Sequence, residues 1–288
     1  MREARAEDAQ HEHRSHPALT RSEFWAAPLA GLAAGAAGGL FGVGGGIILI
    51  PILTGSFRLT QHQAHGTSLT VIGATAVASL LVYGTHGNVL WLSSLTLGLA
   101  SLITAGIGAR LATRTSPTRL TQAFGIFLIV IGIRMLMVPS HPGAGVVPHH
   151  GLPGIAFDVG LGLVTGLVSG YMGIGGGGVV VPAMTLLVGL SQQMAQGTSL
   201  AMMMFTAPAG AIEHARHGNV IARMVPGLSI GAFVGAPLAS WLAQRLPHAL
   251  LTRGFALFLI TNGVLTALRA ARKLRLERAA RATSAAGA

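Results

Sequence analysis

Long apolar runs recur along this chain and are separated by short polar segments. Eight such runs can be delimited by their hydrophobic residues, at 27–56, 66–84, 89–111, 119–138, 154–190, 197–212, 220–243 and 250–268. A helix of about 20 apolar residues crosses the hydrocarbon core of a bilayer. The pattern therefore predicts an all-α, polytopic membrane protein with about eight transmembrane segments, and the lipid bilayer is its first expected partner.

Charged residues are scarce within the apolar region. The chain is 51% hydrophobic and 9% charged, whereas soluble domains carry roughly 25% charged residues. Between Phe24 and Leu268 the only acidic residues are Asp158 and Glu213. Ionised side chains are unfavourable in hydrocarbon, so this distribution supports the membrane interpretation. Because a polar segment of 23 residues precedes the first run and seven runs follow it, we do not interpret that run as a cleaved signal peptide.

The excess of positive charge is explained by membrane orientation. The formal net charge is +11, and most of the excess is arginine in loops and in the C-terminal tail. Basic loops orient membrane proteins, so we expect no nucleic-acid partner. The chain has no cysteine, which excludes disulfides and thiolate metal sites.

The residue patterns of common enzyme classes are missing from the sequence. It contains no HExxH, no carboxylate pair and no catalytic triad, and its GxGGG segments lack the βαβ context of a dinucleotide site. Histidines cluster in the N-terminal tail and near residue 145, at His11, His13, His16, His141, His149 and His150. Since nothing fixes their geometry, we interpret them as solvated loop residues. The sequence predicts no enzymatic activity, no cofactor and no metal site.

The chain is an internal duplication. Segments 131 residues apart repeat: GVGGG at 42–46 and GIGGG at 173–177, GTSL at 66–69 and 197–200, and HGNV at 86–89 and 217–220. Exact repeats that contain polar residues at one offset indicate duplication. The predicted organisation is a polar tail at 1–23, a first membrane repeat at 24–138, a linker at 139–153, a second repeat at 154–268 and a basic tail at 269–288.

Consecutive glycines interrupt the first and fifth apolar runs. Each glycine in a helix interior is unfavourable by about 1 kcal/mol relative to alanine, so we expect a break in the helix rather than glycines that serve only close packing. Paired, glycine-interrupted segments are typical of transporters with the site between repeats. A tilted, broken helix would give parallel repeats, whereas a re-entrant hairpin would give inverted repeats. The complementary placement of arginines in the two halves favours inverted repeats with both termini in the cytoplasm.

Hydroxyl side chains follow the glycine breaks in both halves. Thr67, Ser68, Thr198 and Ser199 are predicted to stand at the starts of the second and sixth helices. Hydroxyls cap helix N-termini, and helix N-termini attract anions. Four helix starts that converge would bind a small oxyanion without a buried lysine. Ordinary capping, or hydrogen bonding to neighbouring helices, is the alternative for each hydroxyl.

Three further ionisable residues are candidates for a gate or for proton coupling. His86 and His217 lie in the repeated His-Gly-Asn turns, where a structural loop is the favoured interpretation because Gly-Asn forms turns. Glu213 stands three residues before Arg216, and an ion pair at that spacing is favoured over a proton relay.

The two repeats resemble the TauE/SafE sulfite exporter family of membrane permeases. The resemblance rests on GGLFGVGGGIILIPIL with QAHGTSL, on GYMGIGGGGVVVPAM with AQGTSL, and on the HGNV segments. It implies a bacterial inner-membrane transporter of a small sulfur-containing anion, such as sulfite or a sulfonate. By position it adds site candidates at the glycine tracts, namely Gly44, Gly45, Gly46, Gly175, Gly176 and Gly177.

The function expected from these observations is alternating-access transport of such an anion between the two repeats. An anion channel of the same architecture and a membrane scaffold that transports nothing are the alternatives. The sequence leaves the oligomeric state open.

Overall fold

The structure of the chain is a computed structural model that describes residues 21–137, 143 and 151–286, with side chains described between residues 25 and 272. The described residues form ten α-helices and no strand, which confirms the all-α prediction. The helices are α1 Arg21–Phe41, α2 Gly46–Gly55, α3 Gln61–Thr85, α4 Trp91–Arg114, α5 Pro117–Met137, α6 Gly151–Met172, α7 Gly177–Ala183, α8 Gln192–Arg216, α9 Val225–Arg245 and α10 His248–Ala286. A π-helical turn, Met184–Val188, continues α7, and a 3₁₀ turn, Ala222–Met224, precedes α9.

Most of the predicted tails and linker lies outside the described residues. These include residues 1–20 and most of 138–150, and with them all six histidines of the N-terminal tail and linker. The C-terminal segment is described as helix, because α10 continues from the last apolar run to Ala286.

Six helices of the described part are long and apolar enough to cross a membrane. They are α3, α4, α5, α6, the 3₁₀ turn with α9, and α10 as far as Arg272. Large apolar side chains, among them Leu81, Ile103 and Leu238, are exposed on their outer surfaces, as expected for helices that face lipid. The eight apolar runs of the sequence correspond to ten helices because the first and fifth runs are each divided at their glycines.

The predicted breaks occur at the glycine tracts. Between α1 and α2, Gly42, Gly44 and Gly45 have φ values of 69°, 67° and 86°. The equivalent Gly173 and Gly175 have φ values of 69° and 71°, and Gly176 reaches 95°. Glycine adopts this left-handed region without the steric penalty of other residues, so the chain reverses at these two segments. We call residues 42–45 and 173–176 the glycine turns.

Helices α3 and α8 begin earlier than the sequence analysis predicted. Thr60 caps α3 by accepting a hydrogen bond from Gln63 N, and the Gln63 side chain accepts from Thr60 N. This reciprocal arrangement is a capping box. Ser191, the equivalent residue of the second half, caps α8 by accepting a hydrogen bond from Met194 N. The prediction that the GTSL segments start these helices is therefore wrong, because the preceding polar segments already contain the caps.

Equivalent helices of the two halves run in opposite directions. In α5, Gly125 lies against Gly263 and Ala267 of α10. Gly132, two turns later in α5, lies against Ala256, which precedes both in α10. The residue numbers of the contacting positions increase along α5 and decrease along α10, so the two helices are antiparallel.

The same relation holds for α3 and α8. Gly66 near the start of α3 lies against His214 near the end of α8, and Gly197 near the start of α8 lies against Tyr83 near the end of α3. Since α3 and α8 are equivalent by sequence, as are α5 and α10, the repeats are inverted. The inverted alternative of the sequence analysis is confirmed.

Helix α2 returns toward the side from which α1 starts. Tyr83 near the end of α3 bonds to Gly39 near the end of α1, so these two helices run in the same direction. Gly45, however, lies back against Ala34 of α1, and α2 ends where α3 starts. The pair α1–α2 therefore enters and turns back, as the re-entrant alternative predicted. We call the side where α1 starts and α10 ends the terminal face.

The first helix of each half packs against a helix of the other half. In α1, Gly31, Gly35 and Gly39 lie against the carbonyl groups of α9. In α6, the equivalent Gly162, Gly166 and Gly170 lie against the carbonyl groups of α4 in the same manner. Small residues at every fourth position let helix backbones approach closely within a membrane. Each half thus packs its first helix on the other half, which brings both glycine turns to the centre.

Candidate functional site

The two glycine turns meet in the middle of the molecule. A methyl carbon added to Gly46 would lie 3.0 Å from Gly173 O, and one added to Gly177 would lie 2.6 Å from Gly42 O. Gly42–Ile47 and Met172–Gly178 are buried throughout. The sequence therefore predicted correctly that the tracts interrupt helices, and the fold brings the two interruptions into contact.

Short helices start from both turns. Gly45 is the N-cap of α2 and Gly176 the N-cap of α7, each in the left-handed conformation. The first amides of a helix have no acceptor within that helix, and its N-terminus carries a partial positive charge. Two helix starts meet here rather than the four that the sequence suggested, because α3 and α8 start about one turn before the residues that touch the glycine turns, His65 and Gln196.

Apolar side chains fill the space beside the turns in this conformation. Ile72 of α3 and Met203 of α8, which are equivalent by sequence, contact both Gly44 and Gly175. Ile72 Cγ2 would lie 2.6 Å from a methyl carbon on Gly44 and 2.8 Å from one on Gly175. An anion at the turns would require these two side chains to move away.

The threonines of the GTSL segments hold loops of the opposite half. Thr67 Oγ1 accepts a hydrogen bond from Ile221 N, and Thr198 Oγ1 accepts one from Leu90 N, both at 3.0 Å. Both threonines are fully buried. They lie in the second turn of their helices and anchor the segments that follow HGNV.

The serines of the same segments differ from each other. Ser199 Oγ donates to Gly42 O at 2.9 Å and so fixes the glycine turn of the other half. Ser68, its equivalent, is fully buried, and its hydroxyl has no hydrogen-bond partner among the described residues. Within the described part of the chain, the Ser68 hydroxyl therefore has no partner, and neither do the hydroxyls of Thr165 and Ser169 beside Gly176.

His86 and His217 are exposed and terminate their helices. His86 Nδ1 lies 2.8 Å from Val82 O, and His217 Nδ1 lies 2.8 Å from Glu213 O. These contacts satisfy carbonyl groups at the ends of α3 and α8. Because α3 and α8 are antiparallel, the two exposed histidines lie on opposite faces of the molecule, whereas the glycine turns are buried.

Glu213 is part of a charge cluster on the terminal face. Its Oε1 accepts a hydrogen bond from Arg110 Nε of α4 at 2.8 Å, and its Oε2 lies 3.5 Å from Arg216 Nη1. The ion pair with Arg216 was predicted. The closer pair with Arg110 was not, since it joins two helices that are distant in sequence.

Two buried histidines were missed by the sequence analysis. His65 Nδ1 lies 3.2 Å from Tyr171 O and His214 Nε2 lies 3.1 Å from Gly170 O. In the inverted repeat their positions are taken by Gln196 and Tyr83, whose side chains bond to each other at 2.9 Å. The alignment of the halves already pairs these polar residues within apolar helices, which is the signal that could have found them.

A cavity of about 450 Å³ lies at the other end of α2 from the glycine turn. It is bordered by the end of α2, the start of α5 and residues 266–270 of α10. Neither glycine turn is among its lining residues. Among the described residues, no group of three or more His, Asp or Glu side chains is arranged to hold a metal ion.

Comparisons with known proteins identify one family over most of the chain. The sequence pattern of the family described as Sulfite exporter TauE/SafE matches residues 27–266. A probable membrane transporter protein of Xylella fastidiosa (strain Temecula1) is 29% identical over 231 residues, which are 78% of this chain and 88% of that protein. The probable membrane transporter protein YunE of Bacillus subtilis (strain 168) is 30% identical over 233 residues, which are 72% of this chain and 85% of that protein. No solved structure matches the chain.

Proposed function

Because the chain belongs to the sulfite exporter TauE/SafE family of membrane transporters, we propose that it moves a small sulfur-containing anion, such as sulfite or a sulfonate, across the membrane. The observation that carries the proposal is the contact between the two glycine turns, one from each inverted half. In transporters with inverted repeats, broken helices at the repeat interface hold the substrate, and their N-termini face anionic groups. Alternating access then follows when one half rocks against the other.

The anion is assigned to the backbone amides at the starts of α2 and α7. These amides belong to the predicted site residues at 44–46 and 175–177. Uncharged donors suit a transporter, because a small anion must be bound weakly enough to leave. Ile72 and Met203, which now occupy the space beside the turns, withdraw when the anion enters.

The hydroxyl residues have separate roles in this proposal. Ser68, whose buried hydroxyl has no partner in the part of the chain that the structure describes, donates to the anion, and Ser199 holds the opposite glycine turn in place. Thr67 and Thr198 act through the loops that they anchor, so they are positioning residues rather than direct ligands.

The arginines indicate the orientation in a bacterial inner membrane. Eight arginines with described side chains lie near helix ends on the terminal face, at Arg58, Arg110, Arg114, Arg119, Arg216, Arg223, Arg269 and Arg272. Three lie toward the other face, at Arg134, Arg245 and Arg253. Cytoplasmic loops carry the excess of basic residues, so we assign the terminal face, with both termini, to the cytoplasm.

Flux measurements on the purified protein in liposomes test the proposal. Sulfite, sulfate, thiosulfate and a simple sulfonate are offered in turn, with and without a pH gradient. Saturable flux of at least one sulfur oxyanion, with counter-transport, is expected. Unitary conductance in a planar bilayer would indicate a channel instead, and failure to move any of the anions would indicate a scaffold.

A further inference from the structure

The lining of the cavity beside α2 mixes apolar and polar groups and carries a single sign of charge. Among the residues whose side chains the structure describes, Arg269 is the only charged one that lines it, and no carboxylate borders it. Five threonines and Gln61 contribute hydroxyl and amide groups to the wall, the threonines being Thr54, Thr60, Thr118, Thr121 and Thr266. Hydrogen-bond donors around one guanidinium suit an anion, and 450 Å³ lies within the range of small-molecule sites.

Two of these groups have spare hydrogen-bonding capacity. Arg269 donates through Nη1 to Pro51 O at 3.0 Å, which uses one of the five N–H groups of a guanidinium. Thr266 is 4% exposed, and its hydroxyl has no partner among the described residues. The residues at the rim, Gly55, Thr60 and Arg269, are exposed on the terminal face, so a solute reaches the cavity from that side.

The equivalent place in the other half is closed by hydrogen bonds. Gln192 Oε1 lies 3.3 and 3.2 Å from the hydroxyl oxygens of Thr185 and Thr252. The shorter hydrogen bonds of these two hydroxyls, at 2.8 and 2.9 Å, go to carbonyl groups four residues earlier. Gln192 N donates to His248 Nδ1 at 2.8 Å. Gln192 is fully buried and both threonines are buried, so these four residues seal the space between α7, α8 and α10.

The residues that seal one half are the residues that line the cavity in the other. Gln192, Thr185 and Thr252 are equivalent by sequence to Gln61, Thr54 and Thr121. The cavity threonines donate to carbonyl groups four residues earlier, as their equivalents do, but the Gln61 amide bonds to His65 instead of to these hydroxyls. The molecule is therefore open on the terminal face and closed at the equivalent place on the other face.

We infer that this cavity binds the transported oxyanion on the terminal face, with Arg269 as the charged ligand, Thr266 as the hydroxyl donor and Thr121 as part of the wall. The sealed Gln192–Thr185–Thr252 group marks where the equivalent site forms in the opposite state. This inference rests on the proposed function and adds to it a second site, about one helix length from the glycine turns along α2.

Cysteine accessibility in proteoliposomes tests the open and closed halves with matched residues. The chain has no cysteine, so Thr121→Cys and its equivalent Thr252→Cys each give a single thiol. The probe is 2-sulfonatoethyl methanethiosulfonate, and ethanesulfonate is the competing anion. We expect Thr121→Cys to react, with a rate lowered at least about threefold by the competitor, and Thr252→Cys to stay unreactive. Equal reactivity of the two thiols, or no protection of Thr121→Cys, overturns the inference.

Flux kinetics test the assigned ligands. We expect Arg269→Gln to raise KM about tenfold, because a hydrogen bond to a charged ligand is lost, and Arg269→Lys to recover part of it. Arg272→Gln, an exposed arginine on the same helix that does not line the cavity, is the control and leaves KM unchanged. Thr266→Val removes an unpartnered hydroxyl without loss of volume and is expected to raise KM about threefold.

The results separate this inference from the proposed function. If the wild type transports an anion and neither Arg269→Gln nor Thr266→Val changes KM, the cavity site is wrong and the proposed function stands. If ethanesulfonate protects Thr121→Cys while no anion is moved, the site stands and transport fails. Thr121→Cys labelling that is blocked by anionic lipid, but not by ethanesulfonate, overturns the inference in favour of a lipid headgroup.

Discussion

Gly46 and Gly177, which follow the two glycine turns, lie against main-chain atoms of the opposite half as well as against the side chains of Ile72 and Met203. Gly177 faces Gly42 O and the Cα atom of Val43, each 2.6 Å from where a methyl carbon would sit. Main-chain atoms within a packed interior cannot move aside by changing a rotamer. Gly177 has no positive φ, so its requirement for glycine is steric. Gly176, with a φ of 95°, requires glycine for its conformation as well.

Replacement of Gly177 by alanine is expected to disrupt the contact between the turns. Overpacking of this kind destabilises by about 1–3 kcal/mol or more, and flux should fall with it. Gly73 is the control, because it lies inside α3 and a methyl carbon there meets nothing within 4 Å; Gly73→Ala should stabilise by about 1 kcal/mol. Thermal unfolding in detergent and liposome flux measure both effects. A Gly177→Ala protein with normal unfolding and flux would contradict the central contact.

Removal of the Ser68 hydroxyl is expected to separate function from stability. Its oxygen is buried without a partner among the described residues, so Ser68→Ala should leave the melting temperature unchanged or raise it, while flux falls. Ser199→Ala is the matched control, since it loses the bond to Gly42 O and should lower stability by about 0.5–1.5 kcal/mol. Normal flux in Ser68→Ala would remove Ser68 from the binding site.

At the scale of the helices, the sequence predicts those features that depend on residues adjacent in the chain, such as helix breaks and helix caps. The breaks at the glycine turns follow from the glycines themselves, and the prediction was right. The starts of α3 and α8 were missed although the capping residues Thr60 and Ser191 stand in the sequence. Contacts such as Arg110 with Glu213 depend on which helices become neighbours, and no local pattern contains that information.

The ion pair between Arg110 and Glu213 joins α4 to α8. Substitution of its two residues tests the role of the Glu213 carboxylate. Arg110→Gln should lower the melting temperature, because the buried Glu213 carboxylate loses its nearest cation. Glu213→Gln in the same protein should restore part of the loss, since no unpaired charge is left. Because we assign Glu213 to a structural ion pair, flux through the Glu213→Gln protein should respond to a pH gradient as flux through the wild type does. Loss of that effect would assign Glu213 to proton coupling instead.

At the scale of the whole molecule, the inversion of the repeats follows from the number of long helices that alternate in direction. Each half contains three of them, α3–α5 or α8–α10, and one pair, α1–α2 or α6–α7, that turns back at its glycines. An odd number of such helices places the second half upside down relative to the first. The placement of the arginines in the sequence favoured this arrangement. The packing of each first helix on the other half, as with Gly35 of α1 against α9, could not be predicted, because no residue pattern in either half indicates which helix its first helix contacts.

Inversion makes a direct prediction about labelling from the two sides of the membrane. His86 and His217 are equivalent by sequence and both are exposed, yet they terminate antiparallel helices. In the chain without native cysteine, His86→Cys and His217→Cys should react with a membrane-impermeant thiol reagent from opposite sides. With the terminal face in the cytoplasm, intact cells should label His86→Cys, and His217→Cys should label only in inverted vesicles. Labelling of both from one side would contradict inversion itself, whereas exchange of the two sides would keep the inversion and reverse the assigned orientation, because positive charge alone carries that assignment.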